Sequence, residues 1–296
     1  MAEIQGGNPK VDLGLKIFIG IDLGVMLMIF LHSQFGLSIP WVTPRHKLNN
    51  PLAALLVALF LRGLVNPGYR ETWLARIRTV VLNSPQRLYL LGGLLAAEGF
   101  LEFMWFRAPE DFRWNLNAEQ GYGTHFSTLQ LFLVGLVVLI CSREEGPDAP
   151  LKQKAPWYLL CSMYFYIGFD DCVGIHENFI IWSQKFAPNA KAFHFVHEWL
   201  WFYGPFALAV AAYLVYFFLK RFMGNWKLIG TLLFALSLWV GVLVLEGVAK
   251  NIVDPVSLDA SRFWIGVEEG FEMVGATLFL FGFSQHLIAS KNKINR

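Results

Sequence analysis

Residues 262–288 read RFWIGVEEGFEMVGATLFLFGFSQHLI. A hydrocarbon core of ~30 Å is crossed by about 20 apolar residues in a helix, and this run is long enough. Its first half nevertheless carries Glu268, Glu269 and Glu272. A membrane helix with acids inside it is the pattern that organises the rest of the chain.

Seven further runs qualify or nearly qualify as spans: 13–34, 51–66, 86–106, 122–142, 156–184, 194–219 and 227–249. The expected fold class is all-α, a polytopic integral membrane helix bundle of about eight transmembrane helices. It reads as a single transmembrane domain over 1–296. Composition agrees. The chain of 296 residues is 55% hydrophobic and 16% charged, whereas a soluble domain is about 45–50% apolar and about 25% charged. Mean hydropathy is +0.46. These values exclude a disordered chain, a nucleic-acid binder working through basic patches, and most soluble enzymes. The 16% aromatic content suits interfacial belts, and Trp105, Trp182, Trp199, Trp201 and Trp264 are read as belt or lipid-facing residues.

The run 51–66 is the shortest, lying between Pro51 and Pro67, with Arg62 placed to snorkel toward an interface; the alternative is a re-entrant or half-buried segment. In 69–87, Trp73, Leu74, Ile77, Val80 and Val81 recur at helical spacing among Arg70, Arg76 and Arg78. That pattern predicts a basic helix lying on the membrane surface or a plain cytosolic loop. The first apolar run has no small-residue cleavage site after it and reads as a retained helix, not a signal peptide. Cys141, Cys161 and Cys172 form no CxxC pair and suggest no disulfide framework.

With eight spans, one side of the membrane collects about fifteen Lys and Arg and the other about eight, so the positive-inside rule places both termini in the cytoplasm. The expected location is the inner (plasma) membrane.

Charged groups inside the bilayer cost at least ~2.5–3.5 kcal/mol each at a helix centre and mark function by default. Of the 22 acids, a large share falls in or beside the spans: Glu98, Glu102, Asp170, Asp171, Glu177, Glu198, Glu246, Glu268, Glu269 and Glu272, with Asp22 in the first. Alternation of the helices puts them together. The third, fifth and seventh spans carry their acids in the second half. The fourth, sixth and eighth carry polar residues in the first half: His125, then His194, His197 and Glu198, then Glu268, Glu269 and Glu272. These groups converge in the outer half of the bilayer, with the site facing the periplasmic or extracellular side. At 1.5 Å per residue, Asp170, Glu98 and Glu272 lie about 13–15 Å from the outer ends of their spans.

At about 100° per residue, Glu268, Glu269 and Glu272 share one ~100° arc, as do His194, His197 and Glu198. On the fifth span Asp170 and Glu177 share a face with Gly174, while His176 points the other way unless the helix is distorted at Gly174. Glu98 and Glu102 are adjacent, four apart.

So many carboxylates at low dielectric repel one another. A divalent or redox cation would neutralise them, a proton path would use them, and a hydrated vestibule would pair them with Lys250, Arg107, Lys185 or Arg262. Carboxylates and histidines from antiparallel helices build di-iron and di-manganese sites. The expected metal ligands are Asp170, His176, Glu177, His194, His197, Glu246, Glu268 and Glu272, with His125 in reserve and Glu198 and Glu269 as general base or outer-shell groups. Fe, Mn and Zn are all compatible. Haem held by two of His125, His176 and His197 fits less well among carboxylates. His32, His46 and His286 read as interfacial or loop residues. No HExxH motif, Glu-x-x-His pair or histidine box occurs.

The run Phe169-Asp170-Asp171-x4-His176-Glu177 and the run Glu268-Glu269-Gly270-Phe271-Glu272-Met273-Val274-Gly275 resemble motifs of uncharacterised multi-pass bacterial membrane proteins. There the motifs read D-E-x4-H-E and E-E-x2-E-M-x-G, and the present sequence departs at Asp171. The resemblance implies no activity. It implies that Asp170, His176, Glu177, Glu268, Glu269 and Glu272 belong to one site.

Three functions follow. The first is a membrane metalloenzyme, hydrolytic or oxidative, acting on a hydrophobic or lipid-like small molecule. The second is a proton- or ion-coupled transporter. The third is a non-catalytic subunit of a membrane complex, with 35–50 and 107–121 long enough to cap its outer side. Membrane lipids are expected partners; nucleic acid is not.

Overall fold

The computed structural model describes residues 8–35, 37, 48–108, 110–116, 118, 121–175, 198–253 and 258–294. It describes their side chains except those of 49, 198–203, 246–253, 258–261 and 292–294. Within these limits the chain is all helix and turn, with no strand. The helices are α1 (Pro9–Phe35), α2 (Asn49–Val65), α3 (Pro67–Leu82), α4 (Ser84–Arg107), α5 (Tyr122–Arg143), α6 (Leu151–Val173), α7 (Glu198–Arg221), α8 (Trp226–Val253) and α9 (Leu258–Ile294). Among the described residues six helices are long and apolar enough to cross a membrane: α1, α4, α5, and the stretches Gly204–Arg221, Trp226–Leu245 and Arg262–Lys291 of α7, α8 and α9. The protein is a membrane-embedded helical protein.

Two of the eight expected spans take other forms. The run 51–66 forms α2, but the chain then bends by 113° into α3. The cause is local. Asn66 precedes Pro67, and a residue before proline is pushed out of the helical region. Asn66 is accordingly extended, at φ −120° and ψ 92°, and its side chain accepts the Tyr69 N–H at 2.9 Å to start α3. The expected basic segment is therefore a helix, α3, rather than a loop.

The expected span 156–184 is not one helix. It ends at Val173, where Gly174 takes the left-handed conformation (φ 64°, ψ 47°) and returns its N–H to Asp170 O at 2.7 Å. Glycine pays no Cβ penalty there. The distortion foreseen at Gly174 is real, and Glu177, expected to share a face with Asp170, lies outside the described residues.

The chain divides at 80/81 into two compact units. In the first, Arg62 Nε of α2 donates to Asp12 Oδ1 of α1 at 2.9 Å, and Lys16 reaches the other oxygen at 2.9 Å. The Arg62 guanidinium also lies over the Tyr69 ring, 3.9 Å from its centroid. Arg62 is thus held by a carboxylate and an aromatic face. Asp22, expected in mid-span, is 7% exposed.

The second unit packs by the rules of lipid-embedded helices, where small residues let backbones approach. On α5 and α6, Gly135 lies under Phe165, and Gly168 lies against Leu131 and the Thr128 carbonyl. Trp157, Tyr164, Phe218, Phe279 and Phe283 are fully buried and form a chain of edge and stacked ring contacts through α6, α7 and α9. At the end of that column Glu145 accepts from Trp157 Nε1 at 2.7 Å and from Arg221. There the expected interfacial residue His286 stacks on Trp157 at 5.3 Å. At the opposite end, Leu101, Trp105, Leu116 and Met273 make a buried cluster with Trp114 and Tyr122 packed against it. The 108–116 stretch so plugs that end. Trp105 is in this core rather than in a belt, and its indole donates to Arg262 O at 3.0 Å. Trp264 is partly exposed, as expected.

Candidate functional site

The first half of α9 alternates acids with glycines: Gly266, Glu268, Glu269, Gly270, Glu272, Gly275. Each glycine admits a neighbour. A methyl group on Gly266 would stand 3.0 Å from Glu102 Oε2, and one on Gly270 would stand 3.0 Å from Glu102 Oε1. These residues are one helical turn apart, so together they form a notch in α9 that seats the Glu102 carboxylate of α4. Gly275 does the same for the Trp239 indole of α8. The indole N–H donates to Glu272 O at 3.1 Å. With Trp105 on Arg262 O, two indoles from different helices pin α9 on either side of its acids.

Glu269 has charge interactions with Glu272, Asp171, Glu268 and Glu102. The carboxylates that act on Glu269 thus come from α4, α6 and α9 itself. Asp170 and Asp171 are half-buried and occupy the last turn of α6. A helix C-terminus carries partial negative charge and disfavours anions.

Below this group lies a buried polar network. Glu98 of α4, Gln130 of α5 and Thr277 of α9 are 3%, 2% and 3% exposed. Gln130 Nε2 donates to Glu98 Oε1 at 2.8 Å, to Met273 O at 3.1 Å and to Thr277 Oγ1 at 2.5 Å. Thr277 Oγ1 donates to Glu98 Oε1 at 2.6 Å. Glu98 Oε2, Gln130 Oε1, Glu102 Oε1 and both ring nitrogens of His125 are buried without a hydrogen-bond partner. Sequence reasoning placed Glu98 and Glu102 among the intramembrane acids but passed over Gln130 and Thr277, which are uncharged. The available signal was a lone glutamine in the apolar run 122–142.

Of the residues read as metal ligands, Asp170, Glu268 and Glu272 are described, and each makes further contacts in the fold. His176, Glu177, His194 and His197 lie outside the described residues, as does the side chain of Glu246 on α8. Glu269 is described; the side chain of Glu198, at the start of α7, is not. Among the described residues no group of three His, Cys, Asp or Glu side chains is disposed to hold a metal ion. Arg262, one of the cations considered as a partner for the acids, bonds the loop residue Glu110 at 2.9 Å. The reserve histidine His125 is half-buried at the start of α5.

A family model described as a domain of unknown function (DUF8692) matches residues 88–287, which run from α4 into the last turns of α9. No curated protein and no solved structure matches the chain.

Proposed function

We propose, for a chain that belongs to the family described as a domain of unknown function (DUF8692), that the bundle is an integral membrane metalloprotein. In this reading it is an enzyme acting on a hydrophobic or lipid-like substrate. The observation that carries the reading is Glu269, whose charge interactions run to four other carboxylates, Glu272, Asp171, Glu268 and Glu102. Carboxylates gathered in membrane-spanning helices repel one another strongly, and a bound cation is the arrangement that gives them a common purpose. Glu268 and Glu272 of α9 and Asp170 of α6 supply hard oxygen donors. His176, Glu177, His194, His197 and Glu246 complete the proposed set.

Carboxylate and imidazole donors suit Fe, Mn or Zn. The metal would polarise a substrate oxygen or activate water, or would carry oxidation if it is iron or manganese. Glu269 and Glu198 would serve as bases beside it. The substrate is lipid-like because the acids lie within spans, and the chemistry faces the outer side of the plasma membrane.

Metal analysis of the full chain purified in mild detergent without added metal tests this. About one or two equivalents of Fe, Mn or Zn in the wild type, falling to a trace in Glu272→Gln, is the expected result. A trace of every transition metal in folded wild-type protein, including after incubation with each ion and desalting, overturns it.

A further inference from the structure

The Glu98–Gln130–Thr277 network includes none of the residues proposed to hold the metal, and it sits near the middle of its three helices. Glu98 is within about 4 Å of the midpoint of α4 along its axis, and Gln130 is within about 4 Å of the midpoint of α5, at 1.5 Å per residue. Both are displaced toward the ends joined by the 108–121 connection. Thr277 is within about 1 Å of the midpoint of the Arg262–Lys291 stretch.

The hydrogens of the network can be counted. Gln130 has two amide hydrogens and Thr277 has one hydroxyl hydrogen. The amide donates to Glu98 Oε1, Thr277 Oγ1 and Met273 O, and the hydroxyl to Glu98 Oε1. Every hydrogen is spent. Two oxygens remain, Glu98 Oε2 and Gln130 Oε1, both buried and both without a donor. They belong to side chains already joined to each other, and two orphaned acceptors on such a pair are what one missing proton leaves. No amide flip repairs this, because Nε2 already faces three acceptors.

Charges along the three helices that carry the network give no substitute. Between Arg87 and Arg107 on α4 there is no Lys or Arg, nor on α5 before Arg143, nor on α9 between Arg262 and Lys291. Besides Glu98, the titratable groups on these three helices in the intervals are Tyr89, Glu102, Tyr122, His125, Cys141, Glu268, Glu269, Glu272 and His286. The acids among them would add to the charge of an ionised Glu98 rather than cancel it.

We infer that Glu98, Gln130 and Thr277 form a proton-binding site in the middle of the membrane. Glu98 is held there as a neutral carboxylic acid whose proton sits on Oε2 and is shared with Gln130 Oε1. Glu102 is one turn along α4 and interacts with Glu269, so the bound proton is stored next to the acids of α9.

Infrared spectroscopy of the full chain in phosphatidylcholine vesicles near neutral pH tests the assignment. The wild type minus Glu98→Gln difference should contain one C=O stretch of a hydrogen-bonded carboxylic acid, moving to lower wavenumber in D2O. Thr277→Val removes a donor to the carbonyl oxygen Oε1 and should raise that band without deleting it, which tests the site even if Glu98→Gln folds poorly. Loss of carboxylate stretches in place of the acid band overturns the proposal. So does an acid band that Thr277→Val leaves unmoved, or a Glu98 signal that follows sodium or potassium at fixed pH, which would assign a cation instead. Metal content is expected to be unchanged in Glu98→Gln, separating this site from the proposed metal centre.

Discussion

Glu102 Oε1 stands over Gly270 of α9, where a methyl group would come within 3.0 Å of it. The atom approached is the free end of a flexible side chain, so Gly270→Ala can be accommodated by a small rotation of the carboxylate. Alanine gains up to about 1 kcal/mol of helix propensity over glycine. The expected outcome is a stability change within about 1 kcal/mol, read by thermal unfolding in detergent. Glu102 is moved from its seat, however, and any metal bound by the α9 acids should be held less tightly. A variant that keeps its melting temperature and loses metal is the predicted combination.

Gly275 is the contrasting case. A methyl there would lie 2.5 Å from Trp239 Cδ1 and 2.7 Å from Nε1, against a rigid indole fixed by its bond to Glu272 O. Gly275→Ala should destabilise by about 1–3 kcal/mol, the usual cost of overpacking, and clearly more than Gly270→Ala. Trp239→Phe keeps the packing and loses the bond; interhelical hydrogen bonds in membranes average about 0.6 kcal/mol and reach about 1.7. Equal melting temperatures for Gly275→Ala and Gly270→Ala would refute the close-packed α8–α9 crossing.

What was legible in the sequence was whatever hydropathy and charge report. Long apolar runs gave α1, α4, α5, α7, α8 and α9, because a membrane span must be predominantly apolar over about 20 residues. Alternation of the runs led to the expectation that Glu102, Asp171 and Glu269 lie at one level, and Glu102 and Asp171 are among the acids whose charge acts on Glu269. Hydropathy is blind to backbone breaks. The helix end at Gly174 and the bend at Asn66 arise from one left-handed residue and one pre-proline residue inside otherwise apolar segments. Counting charges also hid the network around Glu98, whose partners Gln130 and Thr277 are neutral. Trp105 was misplaced because an aromatic near the end of a span suits a belt or a core equally; its partner Arg262 O lies 157 residues away.

That network couples three helices, and its members should not act independently. Thr277→Val removes one donor to Glu98 and should cost about 0.6–1.7 kcal/mol. Gln130→Leu removes donors to both Glu98 and Thr277 and should cost more. Once Gln130 is gone Thr277 has lost its own donor, so the double variant should cost less than the sum by at least about 0.5 kcal/mol. Unfolding of the two singles and the double in the same lipid–detergent mixture measures this. Strict additivity would mean that the residues are neighbours without being a unit.

Outside the spans, Asp111 and Arg113 form a local pair with a definite pH signature. Arg113 Nε donates to Asp111 Oδ1 at 2.8 Å, and a terminal guanidinium nitrogen donates to Oδ2 at 2.5 Å. The guanidinium holds the carboxyl below its usual value of 3.8. A carboxyl with a lowered folded-state pKa stabilises the fold fully above its unfolded pKa and loses that contribution as pH falls through the folded value. The pair is about a quarter exposed, so its worth is about 0.2–1 kcal/mol. Arg113→Gln should therefore melt slightly below wild type at about pH 6, and the gap should close as the pH is taken below about 3.9, the ordinary aspartate range. Raising salt to about 1 M at the higher pH should also narrow it, because screening then acts within about 3 Å. A gap that persists in acid would trace the effect to packing of the 108–116 plug, where Arg113 O also accepts the Tyr122 N–H at 2.8 Å, rather than to charge.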